Sequence, residues 1–143
     1  MNSVPIDELK VGDAAESRKT VSESDVYLFA GITGDFNPMH VDAEFASNSP
    51  FGARVAHGPL TLALCAGLLG TELPGLGTIA VSNQIDYQRP VYFGDTITVR
   101  VEVGALDHER NRATMDITWR NQDGVQVAEG KMVVMPPRER VTL

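Results

Sequence analysis

The sequence predicts an α+β fold: an antiparallel sheet curved around one long apolar helix. Three observations carry that expectation. Residues Pro59–Gly70, PLTLALCAGLLG, are apolar on almost every helical face, and a helix without a polar side has to be covered nearly all round. The C-terminal half contains strands of alternating apolar and polar residues, the period of a half-buried sheet. The connections between those strands are short, which favours antiparallel neighbours.

Taken in order, the elements begin at Ser22-Glu23-Ser24-Asp25, where a capping serine precedes acids in a first helical turn. Val26, Phe29 and Ala30 follow at helical spacing, widened by Leu28 and Ile32, and Gly34 ends the helix. Asp42 can cap a short helical turn through Phe45 and Ala46, which Asn48-Ser49-Pro50 stops. Pro59 suits the first position of the apolar helix, which is too short to cross a bilayer.

A strand is expected from Thr78 to Gln88, inward at Ile79, Val81, Ile85 and Tyr87. Asn83 falls in the same inward phase, and a buried Asn needs partners. Ile97, Val99, Val101 and Val103 alternate with Thr98, Arg100 and Glu102, and Met115, Ile117 and Trp119 repeat the pattern. Asp123-Gly124 signals a hairpin. In the return strand the apolar phase slips from Val125 and Val127 to Ala128, Met132 and Val134, the mark of a bulge.

Composition narrows the function classes. With 143 residues the chain is expected to form a single domain over 1–143. Its net charge is -7 and its basic residues are scattered, which argues against nucleic acid or anionic membrane as partners. The one cysteine, Cys65, sits in an apolar run and reads as a core residue rather than a nucleophile. Three histidines spread along the chain, without a cysteine partner, make a poor metal set. The glycines of residues 67–77 lack the context of a phosphate loop, and there is no G-x-S-x-G elbow. The N-terminus, MNSVPIDELKVGD, has no basic stretch followed by an apolar one, so a cytoplasmic location is expected.

The chemistry concentrates in GDFNPMH, Gly34 to His40. Pro38 fixes its own φ and biases Asn37 toward extended backbone. Such a loop can hold the Asp35 carboxylate and the His40 imidazole at one point, where they share a water, one group taking a proton and the other giving one. A purely structural reading stands beside it: Asp35 caps the next turn and His40 is a satisfied, half-buried histidine. His57-Gly58, just before the apolar helix, has the same double aspect. Free N–H groups at a helix start can hold an oxyanion where Gly permits close approach, or the pair can simply make a turn. His108 lies in a charged turn and reads as solvated.

The run AGITGDFNPMHVDAEFA closely resembles the signature of the MaoC-like dehydratases, the group containing the R-specific enoyl-CoA hydratases. RVAHGPLTLALCAGLLG resembles that family's His-Gly segment and central helix, and IDYQRPVYFGDTITVRVEV its aromatic-x-x-Pro-Val-x-x-Gly-Asp strand pair. The resemblance covers most of the chain. It implies the hotdog fold, a sheet wrapped around a long helix, with two sheets joined edge to edge in a homodimer. It also implies reversible addition of water to the 2,3-double bond of an acyl thioester, giving the (3R)-hydroxyacyl product without metal or other cofactor. The substrate would be carried by CoA or by acyl-carrier protein.

Residue by residue, Asp35 and His40 match the catalytic pair, and Gly58 matches the backbone N–H that polarises the thioester carbonyl. Asn37 and His57 are the expected substrate contacts. One departure is visible: several members carry a serine in the central helix where this chain has Ala66. Ser82 or Asn83 stands as a substitute, or a different hydrogen-bond scheme operates. Two alternatives are a hotdog acyl-CoA thioesterase, which usually places an acid on the central helix, and a non-catalytic acyl-thioester-binding domain, which would require neither Asp35 nor His40.

Overall fold

Ser22 opens the first helix through a closed capping box in the computed structural model, which describes residues 1–143. Its side chain accepts from the Asp25 N–H at 3.1 Å, while the Asp25 carboxylate accepts from the Ser22 N–H at 2.9 Å. Helix α1, Glu23–Thr33, follows and ends at Gly34, whose φ of 77° closes the last turn onto the Ala30 carbonyl. Val26 and Ala30 are buried and Phe29 is partly so. Leu28 and Ile32 are 67% and 81% exposed. The apolar stripe is thus narrower than its sequence suggests, because positions 28 and 32 share the opposite face.

Two short helices carry the chain on: α2, Pro38–Val41, and α3, Ala43–Ser47. Asn37 caps α2 through the Met39 N–H at 3.0 Å, and Asp42 caps α3 through the Phe45 N–H at 3.0 Å. The expected long helix is interrupted. It forms α4, Gly58–Ala63, and α5, Ala66–Thr71. Between them Leu64 and Cys65 bond back three residues, to the Thr61 and Leu62 carbonyls at 3.2 Å each, and so tighten the turn. No Gly or Pro marks this break. No helix is long and apolar enough to cross a membrane.

The sheet contains β1 (Ala14–Thr20), β2 (Ile79–Tyr87), β3 (Thr96–Asp107), β4 (Arg112–Arg120) and β5 (Gln126–Met135). Their order is β1-β3-β4-β5-β2, and every neighbouring pair is antiparallel. The alternation is realised over Thr96–Val103 of β3 and throughout β4, and β3 loses it at Gly104-Ala105, where its register with β4 shifts. Ile97, Val99, Val101 and Val103, with Met115, Ile117 and Trp119, are all buried. Val99 stands opposite Trp119, and Trp119 opposite Ala128. The next pair is Arg120 with Gln126, which leaves Val127 as the extra residue. The phase slip in the sequence is therefore a bulge, and Val127 and Ala128 are both buried. These strands join α1, α4 and α5 in a core cluster of 22 buried residues.

Two expectations fail together on the opposite side. Strand β2 is an edge, and Ile79, Val81 and Tyr87 are exposed rather than inward. Asn83 is exposed as well. The face of α4 and α5 bearing Pro59, Ala63, Ala66 and Gly67 is likewise open. Apolar alternation records which face is withdrawn from water, and in one chain neither surface is. Polar β1, AAESRKT, left no apolar alternation to find and is the opposite edge, paired with β3.

Candidate active site

The capping of α2 leaves Asp35 free for a second task. Its Oδ1 accepts from the Asn37 N–H at 3.1 Å, while its own N–H reaches the Thr33 hydroxyl. Helix α2 takes its cap from Asn37 instead. Asp35 thus shapes the turn with one oxygen and keeps the other exposed. Asn37 spends Oδ1 on the cap, so its amide NH2 is what it offers to a ligand.

His40 sits on α2, half-buried, with its Nδ1 2.6 Å from the Val55 carbonyl. A carbonyl only accepts, so Nδ1 carries the proton and Nε2 presents a lone pair. His57, the residue before α4, is 1% exposed. Its Nε2 donates to the backbone carbonyl of Asp35 at 2.9 Å. Its ring stacks on that of His40, with centroids 3.8 Å apart and planes at 29°, and Phe29 of α1 packs on it at 5.0 Å. Asp35, His40 and His57 each place a ligand-type atom within 4.8 Å of the others.

That convergence resembles a cation site only in outline. His40 Nδ1 and His57 Nε2 are committed to carbonyls, and His57 Nδ1 is buried without a partner. What remains open is one carboxylate oxygen and one imidazole lone pair, short of a metal's usual ligand count and suited to proton transfer. His57, expected as a substrate contact, has its side chain buried beneath His40.

Gly58 is the first residue of α4, so its N–H has no intrahelical partner. A Cβ there would lie 3.0 Å from Tyr87 Cζ and 3.2 Å from both Cε atoms. Only glycine lets the Tyr87 ring close over this turn without displacement. Desolvation raises the Tyr87 phenol above its ordinary pKa, which keeps it protonated. Gly58, Tyr87, Phe51, Thr61 and Arg89 line a cavity of about 370 Å³. Further along α4 and α5, a second cavity of about 200 Å³ is mostly apolar, lined by Leu62, Ala66, Leu69, Met132 and Val134 among others.

A family model described as "MaoC like domain" matches residues 9–124. The chain belongs to the MaoC-like dehydratase family. It is 42% identical to a 3-hydroxybutyryl-CoA dehydratase of Methylorubrum extorquens over 133 residues, 93% of this chain and 84% of the relative. It is 41% identical to an (R)-specific enoyl-CoA hydratase of Rhodospirillum rubrum over 131 residues, 92% and 90% of the two chains. An R-hydratase of Pseudomonas aeruginosa, solved without ligand, superposes with a TM-score of 0.93 at 39% identity, covering 99% of this chain and 90% of that one. The hotdog architecture expected from the sequence is the one these MaoC-like proteins share.

In this MaoC-like chain the two sequence motifs meet in space, the His57-Gly58 segment beneath the Asp35–His40 loop. Two contributors escaped the sequence reading. Val55 acts through its carbonyl, which no side-chain pattern announces, and Tyr87 reaches Gly58 across 29 positions by way of the sheet edge. Ser82 and Asn83, the candidate substitutes for the missing serine, lie exposed on β2, and Ala66 lines the apolar cavity.

Proposed function

We propose that this protein reversibly hydrates trans-2-enoyl-CoA to (3R)-3-hydroxyacyl-CoA, and that Asp35 and His40 are its catalytic pair. The observation that carries the reading is the convergence of one free carboxylate oxygen and one fixed imidazole lone pair on an open loop, in a chain of the MaoC-like family. His40 Nε2 takes a proton from water as the water oxygen bonds to C3, and returns it to C2. Asp35 holds the second water hydrogen. Both new bonds form on the face that the pair presents, which makes the addition stereospecific. Negative charge develops on the thioester oxygen, and the Gly58 N–H is the donor assigned to it. Asn37 contributes its amide NH2 to the bound thioester.

Arg89, which has no carboxylate partner, borders the cavity at Gly58 and suits the anionic end of a CoA carrier. The apolar cavity along α4 and α5 suits the acyl chain. The helices themselves, GPLTLA and AGLLGT, contain no acid, which removes the base a hotdog thioesterase would use there. The free β2 edge and the small-residue face of α4 and α5 favour a homodimer, which pairs one edge and covers the other surface. A cytoplasmic setting fits the CoA-linked substrate, and acyl-carrier protein remains the other carrier to assay.

Crotonyl-CoA supplies the test. Purified protein consumes the enoyl absorbance and yields the (3R) alcohol, with the rate unchanged by a chelator. A (3S) product, free CoA thiol in place of hydration, or loss of activity on chelation would overturn the assignment.

A further inference from the structure

We infer that His57 is a positioning residue that sets the mutual geometry of Asp35 and His40 without touching substrate. This rests on the hydration reading above. One buried side chain engages both partners: its Nε2–H ties the Asp35 carbonyl at 2.9 Å, and its ring backs the His40 ring at 3.8 Å. His40 is also held from a second direction, by the Val55 carbonyl at 2.6 Å. Two constraints on one imidazole fix both its place and its direction, so that Nε2 points one way. Asp35 has no comparable packing. It is exposed, and its backbone is anchored to the protein interior by the His57 bond.

The residue type follows from these demands. Phe would supply the flat face for His40 but no donor for the Asp35 carbonyl. Gln would supply a donor but no face. His supplies both in the space beneath α2, against Phe29. It does so at a cost, because Nδ1 is buried with no hydrogen-bond partner. An unpaired buried acceptor of this kind is destabilising, so a site selected for stability alone would favour an apolar ring. Such supporting contacts hold catalytic groups at productive geometry, and a misplacement near 1 Å can cost on the order of a hundredfold in rate.

The experiment compares His57→Phe and His57→Gln with wild type on crotonyl-CoA. Wild-type hydration is measured first. Its absence would remove the functional reading itself, whereas active wild type with unaffected variants would remove only the role of His57. Each variant is expected to lose roughly ten- to a hundredfold in kcat, with KM within about twofold, since His57 does not meet substrate. Placed on His40→Gln, either change should cost less than about threefold more, because its effect passes through the Asp35–His40 pair, which His40→Gln has already disabled. Folded variants with wild-type kcat, or losses that persist in full on His40→Gln, would overturn the proposal. Should both variants fail to fold, the wild-type protein still decides. Imidazole nitrogen shifts are expected to place the proton on Nε2 of His57 and on Nδ1 of His40, and the opposite tautomer at either ring would refute the geometry.

Discussion

Replacing Asp35 by Asn and His40 by Gln, singly and together, tests whether the two groups serve one water. Asn keeps an Oδ1 acceptor for the Asn37 N–H, now at 3.1 Å, so the turn should lose no more than about 1 kcal/mol. Gln keeps an N–H donor for the Val55 carbonyl and gives up the stack on His57. Folding should therefore survive in all three proteins. Each single change removes a positioned acid–base group, worth roughly a hundred- to ten-thousandfold in turnover. At 1.36 kcal/mol per factor of ten, that is about 2.7–5.4 kcal/mol of transition-state stabilisation. A carboxylate oxygen of Asp35 and a ring nitrogen of His40 lie within 4.8 Å of one another; if both groups serve one water, the path fails once either is lost. The double variant is then expected to be hardly slower than the worse single one. Independent roles would instead multiply to about 10⁴–10⁸-fold. Crotonyl-CoA turnover gives the rates, and circular dichroism with melting temperature establishes that each protein is folded. Multiplying losses in folded proteins would refute the shared water, and unfolded single variants would return both residues to a structural role.

Three further outcomes are expected. Burial raises the Cys65 thiol from 9.0 to about 11, so at pH 8 iodoacetamide should label the unfolded chain and spare the native one. Between those two values the unfolded thiol ionises while the native one does not. Stability should therefore fall as pH rises from 9 toward 11, by at most about 1.4 kcal/mol per unit, and a melting temperature that rises there would contradict the burial. Ala66→Ser points a hydroxyl from an exposed position beside the apolar cavity. It should leave the melting temperature near wild type and change kcat by less than roughly tenfold, about 1.4 kcal/mol, and a collapse in folding would show that the site packs tightly. Val81→Lys sets a charge on the exposed β2 edge. Light scattering should find wild type dimeric and this variant shifted toward monomer, and a fully active wild-type monomer at micromolar concentration would eliminate the edge-paired dimer.

The strands β3, β4 and β5, the capping box at Ser22 and the bulge at Val127 were legible in the chain itself. Each depends on residues near in sequence, or on an apolar alternation that water imposes strand by strand. The loop that brings Asp35 and His40 together was legible for the same reason, since Asn37-Pro38 constrains the backbone locally. Three things were decided only when the chain closed. The broken helix at Leu64-Cys65, where the hydrogen bonds tighten to three-residue spacing, has no Gly or Pro to signal it. The exposure of β2 and of one face of α4 and α5 depends on which apolar surfaces find cover, and apolar character alone does not say where the cover comes from. The burial of His57 was hidden as well, because a histidine beside Gly58 carries no local sign of it. Only the fold brings its ring under His40 and its Nε2 to the Asp35 carbonyl, since those contacts run between backbone and side chains 17 and 22 positions apart.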